Sequence, residues 1–188
     1  MIDVALQFLC DELNAFLQSN VGLDSAKVSP SSVLNAEGKF AVPVDSVGAS
    51  IINLEEERVV KTQVPQYVHR NGQDVISEPD LKLNLYVLFA ANFQVYDQAL
   101  KYLSLVIRYF QSQPSFTPEQ FPALDPRIEK LVPELQSLSF DQWNQIWGAN
   151  GGKQLPSIVY KTRLVVIQPD VSSVRSPLVK IGADLHNA

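Results

Sequence analysis

Residues 81–111 read LKLNLYVLFAANFQVYDQALKYLSLVIRYFQ, and the period of their hydrophobicity changes midway. Up to Phe93 the pattern alternates: Leu81, Leu83, Leu85, Val87 and Phe89 fall on one side, Lys82, Asn84, Tyr86 and Leu88 on the other. Successive side chains of a strand point to opposite faces, so this segment is a half-buried strand. From Tyr96 to Gln111 the period becomes helical, and Asp97, Lys101, Ser104 and Arg108 occupy a narrow polar arc. Leu100, Tyr102, Leu103, Leu105, Val106, Ile107, Tyr109 and Phe110 take more than half of the circumference. One sheet face cannot bury so wide an arc, so a second helix of the chain or a neighbouring subunit must cover the flank that holds Leu105 and Tyr109.

The flanking segments supply partners for this strand and helix. Residues 2–18 place Ile2, Leu6, Leu9, Leu13 and Phe16 at spacings of three and four, one helical stripe. Val4, Phe8 and Ala15 fall off that stripe and read as scattered surface apolars or a subunit contact. Residues 28–42 read as two short strands joined at Asn35-Ala36-Glu37-Gly38, where glycine allows positive φ. Residues 47–60 form a long strand containing IINLEEER at 51–58, apolar on both faces through Leu54 and polar beyond it. Glu55 and Glu57 share one face, Glu56 and Arg58 the other, and the strand is expected to leave the core near Glu55. The charges suit a solvated strand end, or a contact with complementary charge on a neighbouring chain.

Asn71-Gly72, between Tyr67-Val68 and Val75-Ile76, marks a projecting β-arm that carries His69. Residues 112–133 hold Pro114, Pro118, Pro122, Pro126 and Pro133, an irregular loop pinned by Phe116, Phe121 and Leu124. Residues 131–138 return as a strand. Ser139 with Gln142 makes a capping box for a short helix that ends near Gly148, with Phe140, Trp143 and Trp147 on one face. Residues 158–167 give the last strong strand, and the polar tail at 169–188 keeps one apolar island, 178–181. Helices and strands without regular βαβ alternation predict an α+β fold: one domain over 1–168, a mixed sheet with two main helices packed on it, and projecting hairpins.

Composition narrows the function. With 188 residues and a net charge of -5, the chain can bury a core but has no basic surplus for phosphates, so nucleic acid is not expected as a partner. Its single cysteine, Cys10, cannot form an internal disulfide, and the N-terminus lacks the basic start of a signal peptide. No run approaches the roughly 18 apolar residues of a membrane span, so membrane insertion is not expected either. These features predict a protein made to stay in the cytoplasm. Neither histidine sits in a metal or nucleophile motif, no phosphate-loop signature occurs, and no cofactor or enzymatic activity is expected.

Four segments together carry a resemblance: MIDVALQFLCDELNAFL at 1–17, VGASIINLEEERV at 47–59, the opening stretch at 81–111, and FDQWNQIWGANGGKQLPSIVYKTRLVVI at 140–167. They resemble the cap, or tail-terminator, family of phage-tail-like contractile injection systems, which includes the antifeeding prophage and the Photorhabdus virulence cassettes. The resemblance covers the family's common N-terminal part. It implies a non-enzymatic, homo-hexameric ring that contacts the inner tube protein and the contractile sheath protein and ends their growth, first in the cytoplasm and then in the assembled particle. A sheet edge open to a strand from the sheath is part of that expectation. A baseplate or neck adaptor of the same particle is the alternative, and a small ligand-binding domain a more distant one.

Overall fold

The strand read from residue 81 onward is the centre of the sheet. The computed structural model describes residues 1–21, 28–57, 66–70, 73–77 and 81–166. Its elements are α1 (Ile2–Val21), β1 (Val28–Pro30), β2 (Ser46–Glu56), β3 (Gln66–Arg70), β4 (Gln73–Ser77), β5 (Leu81–Asn92), α2 (Tyr96–Ser112), β6 (Ile128–Leu135), α3 (Phe140–Ala149) and β7 (Ser157–Val166). The main sheet has the order β1-β2-β5-β7-β6. β1 runs parallel to β2 and the other pairs are antiparallel, so the sheet is mixed and the fold α+β, as the sequence predicts. β3 and β4 pair antiparallel in a separate two-stranded sheet, from Gln66 opposite Ser77 to Arg70 opposite Gln73.

Alternation in β5 divides the core. Leu85, Val87 and Phe89 face α1 and α2, while Leu88 and Ala90 face Trp147 of α3 together with Val33 and Val159. Aromatic rings join the larger half: Phe110 lies 4.7 Å from Tyr160 and 5.8 Å from Phe89 between ring centroids, and Phe116 lies 5.5 Å from Phe8. The Tyr109 flank of the wide apolar arc of α2 is covered from inside the chain, while Leu100 stays 43% exposed. Phe16 of α1 packs its ring 5.0 Å from Tyr109, and the proline-rich segment brings Phe116 within 6.1 Å of the same ring. Of the two covers the sequence allows, the chain's own helix is the one observed.

Local devices hold the edges. Asn14 of α1 donates from Nδ2 to the Val28 carbonyl at 2.8 Å and accepts from the Val28 amide at 2.7 Å, closing the outer edge of β1 with a side chain. Val42 lies across Gly48, where an added Cβ would come within 2.5 Å of a Val42 methyl, so only glycine fits beneath it. The turn at 35–38 has Gly38 at φ 69 and a single bridge between Leu34 and Phe40.

Four expectations are corrected. The segment 28–30 pairs in parallel with β2 rather than in the 33–41 hairpin. β6 begins at Ile128, inside the stretch read as a loop, because Pro133 sits on an edge strand where its missing amide costs nothing. β2 leaves the core at Asn53, two residues before Glu55: a bulge between Ile51 and Asn53 rotates the strand and leaves Leu54 47% exposed. Finally, Phe140 is 89% exposed whereas Trp147 is buried, so the aromatics of α3 do not all pack on the sheet.

Candidate assembly surface

The acidic strand end is partly tied to its own sheet. Glu55 stands opposite Asn84 in the β2–β5 register and accepts from the Tyr86 hydroxyl and the Asn53 side-chain amide, each at 3.0 Å. Burial, with the Glu55 carboxylate beside it, pushes the Tyr86 hydroxyl above its ordinary pKa. The Glu57 amide donates to the Lys82 carbonyl at 2.9 Å, so Glu57 continues the ladder past the end of β2. Its carboxylate lies 3.4 Å from Arg163 of β7, which also reaches Glu134 of β6 at 3.2 Å. The Glu57–Arg163 contact is an ion pair without hydrogen-bond geometry, since Glu57 Oε2 and Arg163 Nε are both shut from water and neither has a hydrogen-bond partner. Glu55 and Glu57 therefore share the face of the sheet opposite α1 and α2, and a guanidinium cross-links β2, β7 and β6 there. Glu56 is exposed on the other face, and Arg58 lies outside the described residues.

The two apolar pairs fare differently from the expected subunit contact. Phe8 is 5% exposed, edge-on to Phe116 and Phe121, and Tyr109 is 8% exposed, its hydroxyl donating to Glu12 at 3.2 Å. Burial and then Glu12 raise the Tyr109 hydroxyl well above the usual tyrosine range. Both rings belong to the chain's own core, which accounts for their apolarity without a second subunit. Val4 and Leu105 are half-buried. Val4 borders a groove of about 410 Å3 rimmed by Asp3, Asp11 and Glu12. Tyr67 and His69 stand in β3, opposite Ile76 and Asp74. Their side chains, with Asn71 and Gly72, lie outside the described residues.

Sequence patterns missed the sheet edges. β1 covers β2 only as far as Ala49, and Ser31 adds one more bond, its amide donating to the Ala49 carbonyl at 3.0 Å. Beyond that point the outer edge of β2 is open among the described residues. A groove of about 560 Å3 begins there, between 31–33, 50–52 and the last turn of α3. On the opposite edge, Leu131 exchanges two bonds of 2.9 Å with Phe116. Alternation makes Pro133 the next outward residue, and it has no amide to offer. Exposed Val44, Val95 and Tyr96 gather where β2 starts and β5 ends. The sequence places Phe140, also exposed, on a helix face, but its capping box gives no sign of which face meets the sheet.

Chemistry is sparse. Burial, with Asp11 adding to it, pushes the Cys10 thiol up to about 12, so it stays protonated and inert at neutral pH. Among the described residues no group of three His, Cys, Asp or Glu side chains is placed to hold a metal, and no helix is long and apolar enough to cross a membrane.

A family match over most of the chain decides the kinship. Residues 5–181 match the family described as the Pvc16 N-terminal domain. The chain belongs to the Pvc16 N-terminal domain family. One similar solved structure is the PVC sheath/tube terminator of an extracellular contractile injection system in its extended state, with 13% identity and a TM-score of 0.60 over 100% of this chain and 64% of that one. Another is the anti-feeding prophage cap, a tube-terminating cap, with 12% identity and a TM-score of 0.60 over 97% of this chain and 60% of that one. At these identities the likeness is one of fold, and the chain spans less than two thirds of either relative. No curated protein sequence matches it.

Proposed function

We propose that this Pvc16 N-terminal domain is the capping part of a tail terminator, a non-enzymatic homo-hexameric ring seated on the last layer of an inner tube and of a contractile sheath. The observation that carries this reading is the structural likeness over 100% and 97% of the chain to two terminators, one of a sheath and tube and one of a tube, beside its own membership of the Pvc16 N-terminal domain family. Physical features support it. Among the described residues, the short β1 leaves β2 from Asn53 to Glu56 as an edge on which a strand from the sheath could add. Exposed Glu56 and Leu54 there give such an edge both charge and apolar surface. Assembly in the cytoplasm, before the particle is complete, is part of the same proposal.

The test is to make particles without this protein and image them. Tube and sheath are expected to polymerise without a defined distal end, giving irregular lengths or unstable particles. Particles of normal length with normal density at the distal end would overturn the assignment.

A further inference from the structure

α3 crosses the sheet from one edge to the other. It starts just after β6, and its first residue, Phe140, is the most exposed of the large apolar side chains in the described residues. The Ser139–Gln142 capping box fixes that first turn, with the Gln142 amide donating to Ser139 Oγ at 3.3 Å and the Ser139 amide to Gln142 Oε1 at 2.9 Å. Trp147 then anchors the helix over Leu88 and Val159. The last turn reaches the β2 edge, where Ile146 and Ala149 wall the groove of about 560 Å3. At 1.5 Å per residue the 10-residue helix is about 15 Å long, so one rigid element holds an apolar projection at one edge and a recess at the other.

The recess has the chemistry of an apolar receptor. Its polar groups are turned to their own chain: Ser50 Oγ donates to the Ser31 carbonyl, Ser31 Oγ to the Ser32 carbonyl, and Asn150 Nδ2 to the Ile146 carbonyl. Val33, Ile51, Ile52, Ile146 and Ala149 supply the rest of the surface apart from Ser32 and Gln145. Resting on the ring reading above, we propose that successive copies of this chain join head to tail, with Phe140 of one copy seated in the groove between α3 and β2 of the next.

Two observations shape that contact. Pro133 presents no outward amide on β6, so a sheet continuous from copy to copy is disfavoured and side chains must make the joint. Projection and recess lie at the two ends of α3, so in the ring proposed above each copy can offer one to each of its two neighbours. Head-to-tail joining leaves one of each unfilled at the two ends until the chain of subunits closes.

The test measures the mass of the purified chain and of caps on assembled particles. Phe140→Asp should weaken self-association by at least about 30-fold, the loss of an aromatic anchor at an interface, with an unchanged melting temperature because the ring is solvent-exposed. Ala149→Arg should do the same from the groove side. Mixed together, the two variants keep one good joint per pair and should stop at dimers. A Phe140→Cys/Ala149→Cys chain should give a ladder of disulfide-linked copies in particles, Cys10 being buried. Full-size rings from Phe140→Asp, or particles without the ladder, would overturn the contact and leave the ring reading standing. A ladder closing at a number other than six would overturn the hexamer and leave the contact.

Discussion

Asn14 does for β1 what a further strand would do. Its amide offers one donor and one acceptor at the spacing of a peptide unit, and both are used on Val28. A three-residue strand with one neighbour would otherwise expose a free edge. Asn14→Ala should therefore cost about 1–3 kcal/mol, the penalty for leaving part-buried backbone groups unpaired, whereas Asn14→Asp should recover part of it through the acceptor alone. Urea unfolding of the three chains checks the order, and equal midpoints for wild type and Asn14→Ala would deny the side chain this role. Nothing in the helical pattern of residues 2–18 announced it. Asn14 reads there as an ordinary polar position, because its partner lies beyond the end of the helix.

At the scale of elements, β5 and α2 were legible because each carries its own period, and the capping box of α3 was legible because it is local. What the sequence left open was decided by long-range pairing. The strand expected from Leu131 starts already at Ile128, because β7 extends the register from Leu135 opposite Tyr160 back to Ile128 opposite Val166, a match no local propensity states. Phe8 looks like surface and Tyr109 like a flank in need of cover when their helices are read alone, and the segment holding Phe116 helps to turn both into core. The faces of α2 make this testable. Leu103→Ala, on the buried stripe, should cost about 2–5 kcal/mol. Leu100→Ser, on the exposed side of the same helix, should stay within about 0.5 kcal/mol. Denaturant midpoints give both values, and similar losses would mean that the arc is not divided as described.

For the whole molecule, the two ends of the sheet differ. Where β2 and β7 begin and β5 and β6 end, exposed Val44, Val95, Tyr96 and Leu135 make an apolar rim. The other end carries Glu55, Glu56, Glu57, Lys82 and Arg163. In the proposed cap one end of the sheet seats on other proteins, and the apolar rim is the end whose covering releases more free energy. Tyr96 is 64% exposed, so Tyr96→Ser should leave monomer stability within about 0.5 kcal/mol and yet reduce co-sedimentation with inner tubes. Wild-type sedimentation would assign seating to the charged end. That charged end follows the bulge between Ile51 and Asn53. Because the bulge sets two residues of β2 against one of β5, removing its extra residue would leave a regular ladder with Glu55 still opposite Asn84 and Glu57 still beside Arg163. The bulge is thus where this strand can lose one residue and keep its surface, whereas a one-residue change that no bulge absorbs would turn every later side chain to the other face.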